Sequence, residues 1–164
     1  MVEYASTTCP HCAEFHEHNW AALKANHVDT GRVRLTMREL LTPPPSVALA
    51  MFQLARAQGA DANEYFRRIA ILYQRQRVFF QAGTVENLRV ALVRLGGEWG
   101  LTDAQVMASL NDENGIARIR RSIAEANARG VTGTPTFFLN GQRVSDPDFH
   151  TPEGMARVLN TAAG

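Results

Sequence analysis

The sequence predicts an α/β fold in which a long all-helical stretch interrupts a small sheet. Three observations carry this. An apolar strand-like run, Val2–Ala5, meets a helix-like pattern at Pro10. From Ser46 to Arg129 the pattern is helical, with no convincing strand. Strand signals then return at Thr136-Phe137-Phe138-Leu139, followed by Asn140-Gly141, a strong hairpin dipeptide.

From Pro10 to about Asn26, Phe15, Trp20 and Leu23 lie among polar residues, as on an amphipathic helix. Asp29-Thr30-Gly31 is a turn. Val33–Met37 alternates with period two and reads as a second strand. Thr42-Pro43-Pro44-Pro45 ends it. Helices are expected over 46–58, 61–75, 84–96, 102–110 and 113–128, with breaks at Gly59, Gly83, Gly96-Gly97 and Gly100. Thr102-Asp103 before Val106 looks like a cap. Ile116, Ile119 and Ile123 recur at helical spacing. After the hairpin, Gln142–Val144 pairs back. A last helix is expected from Pro152 to about Thr161, with Thr151 as N-cap and proline at the first helical position.

The 164 residues, 45% hydrophobic and 20% charged, fit an ordinary soluble domain. A chain this long buries roughly 70% of its unfolded surface. The net charge of +1 gives no electrostatic reason to expect nucleic acid or an anionic membrane. No apolar run approaches the ~20 residues of a membrane span. No export signal is visible, and Met1 is read as a start placed after a removed one. Nothing calls for an oligomer, so a monomer is expected.

The only two cysteines stand together in "VEYASTTCPHCAEFH". A disulfide closing so short a loop stabilises weakly, which favours chemistry over structure. With Pro10 at the first helical position, Cys9 is the N-cap. Its sulfur then accepts hydrogen bonds from backbone N–H groups around His11 and Cys12, and the helix dipole adds partial positive charge. Both favour the thiolate. In such motifs the thiol pKa falls to roughly 3.5–7.5 from about 8.5. Cys12, three residues on, is a neighbour on the helix, one turn deeper and more shielded. Cys9 is therefore the attacked sulfur and Cys12 the resolving one. Stabilising the Cys9 thiolate stabilises the reduced protein by about 1.4 kcal/mol, or about 30 mV, per unit of pKa below ambient pH. His11, as donor or cation, can stabilise it further.

A static disulfide and a zinc site are the competing readings. Cys9, His11, Cys12, His16 and His18 are all ligand types, and Cys12 and His16 share a helix face. Two cysteines within one helical turn leave poor geometry for four ligands, and no second cluster exists, so no metal is expected. Ala13 after Cys12 excludes haem attachment. His16, His18, His27 and His150 are expected at the solvated surface.

A strand followed by Cys-x-x-Cys at a helix start resembles the thioredoxin fold. Cys9-Pro10-His11-Cys12 is similar to the motif of DsbA-type thiol oxidases. A second match is "GVTGTPTFFLNG", Gly130 to Gly141, which resembles the family's cis-proline loop and the strand after it. The resemblance implies a cis Thr134-Pro135 bond facing the active site, with Gly133, Thr134 and Pro135 pairing with substrate as an added strand. It implies a thioredoxin-like domain formed by 1–41 and 130–164, with 42–129 as a helical insertion. Glu3, six residues before Cys9, resembles the family's buried carboxylate that relays protons for the deeper cysteine; the plain alternative is an exposed strand glutamate. His11 and Pro135 have purely structural alternatives too.

The implied activity is a protein dithiol–disulfide oxidoreductase without cofactor. It would be an oxidase for reduced unfolded proteins in the bacterial periplasm, reoxidised by a membrane quinone-linked partner. Two departures stand out. The family's first strand has no counterpart upstream of Val2. Thr134 is the residue type of the isomerase relatives rather than of the best-known oxidases. A reductase or isomerase is the alternative within the class; a zinc-binding or interaction module whose cysteines never cycle is the alternative outside it.

Overall fold

The structure, a computed structural model, describes residues 1–162. The sheet has the order β2-β1-β3-β4, with β1 (Val2–Ala5) at its centre. β2 (Thr36–Glu39) runs parallel to β1, and β3 (Thr136–Leu139) runs antiparallel on its other side. β4 (Gln142–Arg143) closes the hairpin through Asn140-Gly141, both at positive φ. A two-residue turn of this kind holds both central residues in the left-handed region, which asparagine and glycine tolerate best.

Side chains alternate across β1. Glu3 points toward α1 (Pro10–Leu23), where it meets His16. Tyr4 points the other way, toward α7 (Glu113–Ala128), where its hydroxyl donates to Glu125 at 2.9 Å. Helix α8 (Pro152–Ala162) packs with α1 through Phe15, Met155 and Leu159, and Phe149 from the turn before α8 joins the same cluster. Tyr4, Ala126, Val131 and Phe138 form a smaller core on the α7 face.

Between β2 and α7 lie α2 (Pro45–Ala55), α3 (Ala62–Gln74), α4 (Gln76–Phe80), α5 (Val85–Glu98) and α6 (Asp103–Leu110). Their shared core includes Met51, Phe52, Leu54, Ile69, Leu72, Leu92, Leu95 and Val106, and it also takes in Cys9 and Cys12. The cysteine pair thus sits where the sheet and the helices meet. Asp61, Thr84, Thr102 and Asp112 cap α3, α5, α6 and α7, and Thr102 with Gln105 forms a reciprocal capping box.

Several boundaries differ from expectation. The α-helical part of α1 ends at Leu23 and widens into a π-turn over Lys24–Val28. The second strand is Thr36–Glu39, not 33–37, because its ladder forms where β1 supplies partners. Val33 and Leu35 keep the strand-like alternation by packing into the core without pairing. Gly96 and Gly97 do not break α5. A Cβ at Gly96 would strike Val106, so this glycine lets α5 and α6 approach closely. Helix α4 was not anticipated. His27, within the π-turn, is buried, against the expected solvated position.

Candidate active site

Cys9 is the N-cap of α1, in extended conformation at φ −85 and ψ 119, with Pro10 next to it inside the helix. The cap is local chemistry: Pro10 lacks the N–H that would need a partner there. The Cys12 N–H donates to the Cys9 sulfur at 3.4 Å. The Cys9 thiol lies 3.2 Å from the carbonyl oxygen of Thr134. The Thr134–Pro135 peptide bond is cis. Both cysteines are buried, Cys9 at 6% exposure and Cys12 at 0%, and both are free thiols.

The turn that presents Cys9 is heavily pinned. Ser6, Thr7 and Thr8 are buried. Ser6 Oγ accepts from the Thr42 N–H at 3.1 Å, and Thr8 Oγ1 donates to Thr42 O at 2.8 Å. Thr7 Oγ1 donates to Ala48 O at 3.2 Å. Gln76 of α4 donates to two carbonyls of the turn, Thr7 O at 2.7 Å and Cys9 O at 3.1 Å. The helices therefore help fix the cysteine turn itself. The sequence marked none of Gln76, Thr42 or Ser6; the only available signal was the polar Ser6-Thr7-Thr8 run between strand and helix.

This arrangement separates the two thiols. The Cys9 pKa falls to about 5. A hydrogen bond from the Cys12 side chain is the largest cause, burial opposes it, and the Thr134 side chain and the N–H groups of Cys12 and His11 add to it. Cys12 is pushed far up, first by burial, then by its bond to Cys9 and by the charges of Cys9 and Glu3. One sulfur is ready as thiolate and leaving group, and the other is held as thiol.

His11 contributes to Cys9 through its backbone N–H. Its ring points outward, 79% exposed, with Nδ1 3.5 Å from Glu14. Glu3 is fully buried, which discards the exposed alternative, and lies in register between Met37 and Phe137. His16 also departs from expectation. It is buried, with Nε2 3.1 Å and 3.2 Å from the two Glu3 carboxylate oxygens. Its burial is tertiary in origin, because α1 is covered on two sides: Phe15 packs on Phe137, while His16 and Trp20 pack on Tyr73 and Phe66 of α3. His18 and His150 are exposed, as expected. Among the described residues, no group of three or more His, Cys, Asp or Glu side chains is placed to hold a metal ion.

Beside Cys9, a groove of about 360 Å³ is lined by His11, Glu14, Phe15, His18, Thr134, Pro135 and His150. Gly133 is exposed at its end of the loop. Thr134 brings this groove next to Cys9, whose sulfur lies 3.2 Å from the Thr134 carbonyl oxygen.

The sequence model of the thioredoxin family matches residues 1–161. A Rickettsia typhi protein classed, by name alone, as a protein-disulfide oxidoreductase is 32% identical over 163 residues, which is 99% of this chain and 57% of that protein. The chain spans about half the length of the curated relatives it matches. Among solved structures, α-DsbA1 of Wolbachia pipientis superposes with a TM-score of 0.82 at 20% identity, covering 99% of this chain and 84% of that one. MdbA of Actinomyces oris, a thiol-disulfide oxidoreductase, gives a TM-score of 0.78 at 14% identity, covering 98% and 78%. These likenesses place the same fold around the Cys9–Cys12 pair, and the match over residues 1–161 shows that the chain belongs to the thioredoxin family.

Proposed function

We propose that this chain is a thiol–disulfide oxidoreductase of the DsbA type, acting as an oxidase on reduced, unfolded exported proteins. The observation that carries the reading is the opposed state of the two sulfurs: Cys9 with a pKa of about 5 beside an open groove, and Cys12 held as a buried thiol. In the cycle, a substrate thiolate attacks the Cys9 sulfur of the Cys9–Cys12 disulfide. The Cys9–substrate bond forms, the Cys9–Cys12 bond breaks, and Cys12 leaves and takes up a proton. A second substrate thiolate then attacks the substrate sulfur of the mixed disulfide, and Cys9 leaves as a stabilised thiolate. Two electrons pass from substrate to protein.

In this reading Cys9, Cys12, Pro10, His11 and Glu3 form the catalytic set, and Gly133, Thr134 and Pro135 hold the substrate backbone. Residues 1–41 and 130–164, of which 163–164 lie outside the described residues, are assigned to the thioredoxin-like domain and 42–129 to its helical insertion. The compartment is the bacterial periplasm, since such an oxidant works against a reducing cytosol. A membrane quinone-linked partner restores the disulfide. Reductase or isomerase activity is the second reading. Thr134 favours it, being the residue type of the isomerase relatives.

The test is to mix the oxidised protein with a reduced, unfolded disulfide protein and follow substrate thiols by trapping and mass. Stoichiometric thiol loss in the substrate, abolished in Cys9→Ser, supports the oxidase. Transfer in the opposite direction, from reduced protein to an oxidised substrate, supports the reductase.

A further inference from the structure

A second and larger groove of about 720 Å³ runs between α1, α3 and α4, and Glu14 of α1 lines both this groove and the one beside Cys9. His16 and Tyr73 form part of its wall, with Glu14, Glu17 and Arg77 toward its rim. The His16 ring bridges this groove and the floor of the cysteine site. Nε2 lies against both oxygens of Glu3, and Nδ1 is buried with no hydrogen-bond partner. An ionised carboxylate can only accept, so Nε2 carries the proton of that contact and Nδ1 holds a lone pair. A buried acceptor without a partner needs an explanation. Cys12 precedes His16 by one helical turn, so the two share a face of α1.

We propose that His16 is a positioning residue that relays protons from the groove between α1 and α3 to Glu3, and through Glu3 to the departing Cys12 sulfur. This rests on the thiol–disulfide cycle proposed above. When a substrate thiolate displaces Cys12 from Cys9, negative charge appears on a sulfur enclosed by apolar side chains. The Nε2 proton of His16 passes to the Glu3 carboxylate, and Glu3 hands a proton on to the Cys12 thiolate. Nδ1 takes up a proton from solvent by way of the groove, and the hydroxide left behind departs the same way. One proton enters at Nδ1, one ends on Cys12, and Glu3 is a carboxylate again. The groups that face His16 are Glu3 from β1, Cys12 from the preceding turn and Tyr73 from α3, with Glu14, Glu17 and Arg77 at the rim; their charges bear on the pH profile of the step.

The experiment is single-turnover reduction of the oxidised protein by excess dithiothreitol, acid-quenched and read by mass, across pH. His16→Gln keeps a hydrogen-bond donor toward Glu3 but has no second nitrogen on the groove side. It should slow loss of the Cys9–Cys12 disulfide by about tenfold or more and flatten the pH profile. Alkylation of Cys9 in the reduced protein should be unchanged, because the relay serves Cys12. In His16→Ala, added imidazole should restore the rate saturably, and it should leave the unsubstituted protein unaffected. The unsubstituted protein should also show a curved dependence of rate on deuterium content, as more than one proton moves. Unchanged rates and pH profiles in both variants, or a linear deuterium dependence, overturn the relay while leaving the redox cycle intact. A protein that never forms the Cys9–Cys12 disulfide overturns the cycle itself, and the relay with it.

Discussion

The Cys9 sulfur lies 3.2 Å from the backbone oxygen of Thr134, a residue 125 positions away in the chain. As a thiol, Cys9 donates to that oxygen. As a thiolate it has nothing to donate, and the contact turns repulsive. Ionisation therefore shifts the sulfur's support to the Cys12 thiol, the Thr134 side chain and the N–H groups of Cys12 and His11. Thr134→Val keeps the branched shape and removes the hydroxyl. It should raise the midpoint of thiolate absorbance above about 5. His11→Ala leaves the backbone N–H in place and should move the midpoint by less than about one unit.

The two thiols should also shape stability with opposite signs. Cys9 has a folded pKa of about 5, below its unfolded value of about 8.5. Its stabilisation of the reduced protein is complete above the unfolded pKa and is lost as pH falls through about 5. Cys12 is shifted up, so above pH about 8.5 only the unfolded chain releases its proton, and stability falls. Melting temperatures of reduced protein, compared with Cys9→Ser and Cys12→Ser across pH, should show the Cys9 benefit shrinking toward pH 5 and the Cys12 penalty growing in alkali.

Gln76 couples α4 to the cysteine turn. Its side-chain amide serves Thr7 O and Cys9 O from a buried position. Gln76→Ala leaves both carbonyls short of a donor and should cost about 1–3 kcal/mol in denaturant unfolding of the reduced protein. An unchanged midpoint and slope would show that water replaces the amide at no cost.

A second buried carboxylate, Glu39 at the end of β2, holds the helices to the sheet. It accepts from Arg56 at 2.6 Å, from Tyr65 at 2.7 Å and from Arg118 at 3.3 Å. Glu39→Ala strands these donors and should destabilise by about 3–5 kcal/mol. Tyr65→Phe removes one neutral donor and should cost about 1–3 kcal/mol. Both are read by chemical denaturation.

The Cys9 cap was legible because capping is local: a proline one position in and a side chain able to accept N–H bonds suffice. The hairpin and most helices were legible for the same reason. The cysteine–Thr134 contact was reachable only through resemblance to a family, because no local pattern brings residues so distant together. His16 reads as solvated from sequence because a helical stripe built on Phe15, Trp20 and Leu23 implies one buried face. Here α3 covers a second face, and only the packing of helix on helix shows it. Gly96 reads as a break because the sequence does not show that Val106 presses on it. Gln76 and Glu39 gave no signal, because nothing in the local sequence marks a polar side chain that only the tertiary fold buries.

The Cys9–Cys12 pair should accept electrons readily. The most direct measurement is the fraction of disulfide after equilibration in graded glutathione buffers, read by thiol trapping and mass. Glutathione alone should reduce the pair, at a potential well above the thioredoxin value of about −270 mV. A pair that stays oxidised in those buffers, with a thioredoxin-like potential, would contradict it and make the protein a reductase.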